Sequence, residues 1–208
     1  MTKSSAKKSS YHHGDLRSSI ISCATEMIHE SGVENLSLRK LAERAGVTRT
    51  APYHHFKDKN DLLCAVAAQG FIAWQHIEEK VFDNEELSSK ERYRQFFHQY
   101  IQFAANNPAL YDLMFGRTIW KNAQSNSTLR DAAYPSFQYQ VAMTKRWQEQ
   151  GLMPKDENTL RLAQVSWGTM HGIARLLIDG IYVDVSSVEE MCECAINLFL
   201  SQSTVDKK

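Results

Sequence analysis

Residues 36–62 read Leu-Ser-Leu-Arg-Lys-Leu-Ala-Glu-Arg-Ala-Gly-Val-Thr-Arg-Thr-Ala-Pro-Tyr-His-His-Phe-Lys-Asp-Lys-Asn-Asp-Leu. The spacing predicts a helix capped by Ser37, with Leu38, Leu41, Ala42 and Ala45 on one face. Gly46 supplies the left-handed residue that ends it, and Val47 packs under the turn. A short second helix follows from about Arg49 to Phe56, with Thr48 as its cap and Pro52 in or just after its first turn, where a missing N–H costs least. Tyr53 and Phe56, three apart, anchor this helix to those behind it. Arg49, Thr50, Tyr53, His54 and Lys59 are left as outward polar groups. Two helices around a glycine turn form a helix-turn-helix, a unit that places its second helix in a DNA major groove.

Working outward, the chain reads as helix throughout. A first helix from Asp15 or Leu16 to Ser31 carries Leu16, Ile20, Cys23, Ala24, Met27 and Ile28 on one stripe, and Gly32 ends it. Asp58 caps a long helix to about Phe82 that ties the DNA-reading end to the rest. Beyond the polar break at 83–89, a helix carries Tyr93, Phe96, Phe97, Tyr100, Ile101 and Phe103 and stops at Asn106-Asn107-Pro108. A short helix is expected at 109–116 and longer ones at 127–150, about 156–180 and about 186–202. Nothing alternates with period two for long enough to need a sheet, and no solenoid-length repeat is present.

A chain of 208 residues that is 43% hydrophobic can build a substantial core. Its net charge is zero, but residues 1–60 carry ten Lys or Arg against six acids, and 61–208 carry fourteen against eighteen. A basic end on an acidic remainder suits a protein that meets nucleic acid at one end only. The Ser- and Lys-rich residues 1–10 lack an apolar core and do not read as a signal peptide; they form a tail or a basic arm against phosphates. No run of about 20 apolar residues calls for a membrane span. Cys23, Cys64, Cys192 and Cys194 are scattered, as expected of reduced thiols in a cytoplasmic protein. The adjacent pairs His12-His13 and His54-His55 lack the spacing of a metal site, so neither metal nor cofactor is expected.

The candidate DNA contacts divide by chemistry. Tyr53, His54 and Lys59 lead, the tyrosine hydroxyl and the lysine ammonium suiting phosphate oxygens, which fix register, while Arg49 and Thr50 near the helix start are placed for base edges. Thr48 either caps or touches DNA. Candidate ligand contacts come from the aromatic-rich middle: Phe97, Tyr100, Tyr111, Met114, Phe115, Trp120, Trp147 and Trp167, with His171 and Arg175 as polar anchors four apart on one helix face. An aromatic stripe at helical spacing also serves as plain core, so both readings stand. The helix at 156–180 is apolar on two sides, with Gly168 and Gly172 four apart, and so calls for cover by its own core and by a partner.

The helix at 16–31, "SLRKLAERAGVTRTAPYHHF" at 37–56 and "FKDKNDLL" at 56–63 together resemble the start of the tetracycline-repressor (TetR) family of bacterial transcription regulators. Trp167, His171 and Gly172 in "SWGTMHGIARLLIDG" resemble the Trp-His-Gly signature of one C-terminal subtype. The resemblance implies an all-α protein, with an N-terminal three-helix helix-turn-helix domain joined by a long helix to a larger helical ligand-binding and dimerisation domain. Applied here, it divides the chain into a flexible basic arm at 1–14, a DNA-binding domain at 15–60 and the larger domain at 61–204. It further implies an inducer among the aromatic residues and a four-helix dimer interface from the last two long helices. The expected partners are double-stranded DNA carrying a palindromic operator, a small-molecule effector and a second copy of the chain. No enzyme motif is present: no glycine-rich phosphate loop, no Gly-x-Ser-x-Gly, no His-Glu-x-x-His. An all-helical adaptor, or a regulator without a ligand, is the alternative; the adaptor would have no need of Arg49, Tyr53 and Lys59 around a glycine turn.

Overall fold

The computed structural model describes residues 13–121, 124–182 and 185–200. The arm expected at 1–14 lies almost wholly outside the described residues, as do positions 201–204 at the end of the expected large domain. Among the described residues the chain is all-α and has no strand.

Helix α1 (His13–Ser31) ends at Gly32, whose φ of 77° only glycine adopts at low cost. A single 3-10 turn (Val33–Asn35) then leads to α2 (Leu38–Arg44). The Ser37 hydroxyl accepts from Lys40 N at 3.2 Å, which satisfies one of the free N–H groups at the start of α2. Gly46, at φ 67°, lets Val47 N turn back onto Ala42 O at 3.0 Å. The second helix differs from the expectation for 49–56: it is a 3-10 turn at Ala51–His54. Ala51 N donates to Thr48 O, Tyr53 N to Thr50 O and His55 N to Pro52 O, each three residues back. Phe56 N reaches back four residues to Pro52 O at 2.9 Å, so one α-type bond closes the end of this turn. Thr48 is not its cap: Thr50 stands at that position without a side-chain cap bond, while Thr48 supplies its carbonyl to the turn and its hydroxyl pairs with that of Thr50 at 3.3 Å.

Helix α3 (Lys59–Phe82) starts where Asp58 Oδ1 accepts from Asp61 N at 2.8 Å. Its first half packs on α1 with Ile20, Ala24, Ile28, Leu41, Phe56 and Leu62 as core. Its second half runs into the larger bundle against α4 (Ser89–Asn106), α5 (Pro108–Phe115) and α7 (Ser127–Glu149). Helix α4 begins with a reciprocal cap between Ser88 and Glu91. A single turn, α6 (Arg117–Trp120), which the sequence reading did not expect, follows α5. At Gly70 a Cβ would sit 2.5 Å from Met114 Sδ and 3.2 Å from Leu110 Cδ1, so α3 and α5 touch closely there. The bundle is completed by α8 (Thr159–Ile178) and α9 (Val185–Leu200), and the Tyr93 and Ser166 hydroxyls, 3.1 Å apart, tie α4 to α8.

Candidate nucleic-acid interface and cavity

The end of the molecule formed by α2 and the 3-10 turn presents a polar edge. Thr48, Arg49, Thr50, Tyr53 and His54 are exposed on it, and Lys59, in the first turn of α3, is half-buried. Tyr53 is 57% exposed whereas Phe56 is 1% exposed, so Phe56 alone anchors the turn and the Tyr53 ring stands free. The rigidity behind this edge comes from Pro52, which is buried, and from Arg17, whose guanidinium lies 5.2 Å from the Phe56 ring centroid. Lys57 is also exposed beside Lys59 and was missed in the sequence, where it reads only as part of a charged run. Cations, hydroxyls and a phenol on a rigid convex turn are the groups that bind phosphates and base edges.

A cavity of about 560 Å³ lies among α3, α4, α5, α6, α7 and α8. Of the residues anticipated as ligand contacts, Tyr100, Phe115, Trp120 and Trp167 line it. Phe97, Met114 and Trp147 are buried elsewhere: Trp147 packs on Phe82, Tyr93 and Phe96, and Met114 lies under Gly70. Tyr111 and His171 stand just behind the wall, and Arg175 is engaged with Asp112 and Asp179. The wall also uses Phe71, Trp74, Ser136, Phe137 and Gln140, which were not among the expected ligand contacts, although Phe137 belongs to the same aromatic-rich stretch. The signal available there was a polar pair four apart, Ser136 and Gln140, on the buried face of α7.

The polar tips of the wall form one chain. Trp167 Nε1 donates to Tyr100 Oη at 3.0 Å, the Tyr100 and Tyr111 hydroxyls are 2.8 Å apart, and Tyr111 Oη is 2.6 Å from His171 Nδ1. Burial first, and then the nearby Arg175 charge, push the His171 pKa down, which favours a neutral ring with Nδ1 as acceptor. Burial also pushes both phenols up, so the chain runs in one direction: indole to Tyr100, Tyr100 to Tyr111, Tyr111 to His171. The His171 ring stacks on Tyr111 and lies tilted against Trp167, at centroid distances of 5.5 and 5.4 Å, which fixes the same geometry.

Helices α8 and α9 carry apolar side chains that the protomer does not cover. Val165 is 59% exposed, Leu198 65% and Leu160 42%, and a Cβ at Gly168 or Gly172 would meet nothing within 4 Å. Cys192 is buried and Cys194 exposed, so the two face different sides of α9. No helix among the described residues is long and apolar enough to cross a membrane.

Residues 20–66 match the family described as "Bacterial regulatory proteins, tetR family", and residues 93–199, more than half of the chain, match "Tetracyclin repressor-like, C-terminal domain". The class C tetracycline repressor of Escherichia coli is 37% identical over 73 residues, which are 35% of this chain and 33% of that protein. The match thus spans only about a third of that repressor's length. The nucleoid occlusion factor SlmA of Vibrio cholerae is 28% identical over 69% of this chain and 75% of its own. Among solved structures, a protein of unknown function from Rhodococcus sp. RHA1 superposes with a TM-score of 0.81 at 30% identity, covering 93% of this chain and 98% of that one. The TetR-family regulator PfmR of Thermus thermophilus, at 19% identity and a TM-score of 0.65 over 90% and 99% of the two chains, shares the fold. The chain therefore belongs to the TetR family of bacterial transcriptional regulators, with a DNA-binding helix-turn-helix at its N-terminal end and a tetracycline-repressor-like helical domain after it.

Proposed function

We propose that the protein is a cytoplasmic repressor that binds a palindromic operator as a homodimer and leaves it when a small molecule fills the cavity. The observation that carries this reading is the course of α3: it begins at the exposed polar turn, at Lys59, and contributes Phe71 and Trp74 to the cavity wall. A ligand that favours one tilt of α3 then changes the spacing of two reading turns in a dimer. A tenfold change in DNA affinity needs about 1.4 kcal/mol of such coupling. In this division residues 15–60 read DNA, and 61–204 bind the effector and dimerise. Dimerisation is supported by the uncovered Val165 and Leu198 and by Gly172 of α8, where a second helix can approach closely. Two-fold symmetry calls for half-sites about one turn, ~34–36 Å, apart. Assignment of the C-terminal domain to the Trp-His-Gly subtype draws support from the contact of Trp167 with His171.

The deciding experiment is a gel shift on the DNA flanking the protein's own gene, followed by a genome-wide map of bound sites. Retardation at a two-fold symmetric sequence by a dimer is the expected result. A stable monomer by light scattering that still shifts the operator would overturn the dimeric reading.

A further inference from the structure

The polar groups on the cavity wall are almost all spoken for. Trp120 Nε1 donates to Met114 O at 2.6 Å, and Trp167 and Tyr100 belong to the chain that ends at His171. At the mouth, Gln164 is held by the exposed Arg161 at 2.8 Å. What these bonds leave toward the interior is ring surface, from Phe71, Trp74, Tyr100, Phe115, Trp120 and Trp167. No Lys, Arg or His is among the described residues that line it.

One carboxyl breaks this pattern. Glu78, on the buried face of α3 one turn after Trp74, is 1% exposed, and its Oε1 has no hydrogen-bond partner. Its Oε2 accepts a long bond, 3.4 Å, from the hydroxyl of Ser136, which lines the cavity. One turn along α7 from Ser136, the Gln140 amide also lines the cavity, is 4% exposed, and leaves Nε2 without a partner. Two unpaired polar groups, each more than nine-tenths buried, thus lie on the α3–α7 side of an aromatic cavity, Gln140 on its wall and Glu78 behind Ser136. A buried carboxyl oxygen without a donor is costly, so something that supplies a donor gains by binding there.

We propose that the cavity takes a lipophilic organic cation, a protonated amine on an apolar body, whose ammonium is received by the Glu78 carboxylate past Ser136 while the aromatic rings cover the rest. This rests on the effector reading of the cavity given above and names the chemical class of that effector. Aromatic faces attract cations through their quadrupole, and a desolvated carboxylate is the strongest partner for an N–H donor. An anionic ligand of the same shape finds no counter-charge on the wall and meets a second acid behind it.

The surroundings of Glu78 make the same point. Burial is the main cause that raises its carboxyl pKa, to about 8; Ser136 and Trp74 pull it down in part, and Glu79 pushes it further up. The phenols of Tyr100 from α4 and Tyr139 from α7 are also coupled to it. No cation is among these groups, so the carboxyl keeps its proton up to about pH 8 and, once ionised, gains from a cation that arrives with a ligand.

Three probes of matched shape, phenylbutylamine, phenylbutanol and phenylbutyrate, test this on the full chain by titration of Trp fluorescence, since Trp74, Trp120 and Trp167 line the cavity. The amine is expected to bind at least ~10-fold tighter than the alcohol and the acid at pH 8. Its affinity should rise ~10-fold or more from pH 6 to pH 8 as the carboxyl ionises. In Glu78→Gln, checked for folding by circular dichroism, amine and alcohol should bind alike and the pH dependence should vanish. Alcohol or acid binding as tightly as the amine overturns the cation assignment and leaves the cavity reading standing, whereas saturable binding of none of the three overturns both. The comparison of probes and the pH profile need only the wild-type protein, so they decide the matter even where the variant does not fold.

Discussion

The side-chain amide of Asn126 donates to Asp61 Oδ1 at 2.7 Å, joining the N-terminal cap of α7 to the first turn of α3. The same carboxylate holds Lys57 N through Oδ2 at 3.1 Å, and the neighbouring Asn60 donates to Gln124 O at 2.8 Å. The helix that gives the cavity Ser136, Phe137 and Gln140 is therefore bonded, through one carboxylate, to the backbone just after the exposed turn.

Asn126→Asp keeps an acceptor for Leu129 N and so preserves the α7 cap, but sets a second negative charge against Asp61. The expected result is faster hydrogen exchange at the Lys57 amide and a severalfold loss of operator affinity, with only ~1 kcal/mol or less taken from global stability. Unchanged exchange at Lys57 would show that the contact transmits nothing.

Tyr53→Ala and Lys59→Ala should weaken binding to all DNA sequences alike, and the lysine change should reduce the slope of log affinity against log salt by about one phosphate's worth, ~0.9. Arg49→Ala and Thr50→Ala should instead redistribute preference among operator variants, by ~1–3 kcal/mol per affected base pair. A salt titration of Lys59→Ala that overlays the wild type would remove Lys59 from the phosphate contacts.

Val165→Asp and Leu198→Asp place charge on side chains that are 59% and 65% exposed in the protomer. Each should leave the monomer's helical content intact and convert dimer to monomer at micromolar concentration in light scattering. A dimer that persists in the double variant would relocate the interface.

Glu78 also predicts a pH dependence of stability. Its folded-state carboxyl pKa is raised to about 8 from 4.5, so the folded protein binds the proton more tightly than the unfolded chain does. Stability should therefore decline as pH rises from about 4.5 to 8 and level off above, with an upper bound near ~5 kcal/mol. Urea denaturation of the ligand-free protein across this range should show the decline, and Glu78→Gln should flatten it. A variant with the wild-type slope would assign the slope to other groups.

Local signals carried most of the fold. Ser37, Gly46 and Asp58 stop and start helices by bonds to residues three to five away, and a single sequence contains all of that information. The all-α architecture and the helix-turn-helix followed from them. The 3-10 character of Ala51–His54 did not, because a short turn with Pro52 inside satisfies the same spacing as a short helix. The cavity was legible only in part: aromatic spacing brought out Tyr100, Phe115, Trp120 and Trp167, but also Phe97, Met114 and Trp147, which lie outside the wall. Spacing cannot tell a ring that faces a void from one that faces another ring. Glu78 left a trace, an acid in the apolar stripe Phe71, Trp74, Glu78, Val81, whose meaning depended on α7 being opposite. Asn126 and Asp61 lie 65 positions apart and are joined only by the tertiary fold.

The close approach at Gly70 has a mechanical consequence. With Met114 Sδ and Leu110 Cδ1 so near its backbone, α3 can approach α5 at this point only if those side chains shift, so a tilt of α3 that leaves them in place turns about Gly70. Lys59 lies eleven residues to one side, ~16 Å at the rise of an α-helix, and Trp74 and Glu78 lie ~6 Å and ~12 Å to the other. Under the proposed function, a ligand that displaced the wall at Trp74 by about half an ångström would, through such a tilt, move Lys59 by more than an ångström in the opposite direction. The gain of this lever is set by where the glycine stands in the helix, and Gly70→Ala, by wedging α3 away from Met114, would alter DNA binding from a residue that touches neither DNA nor cavity.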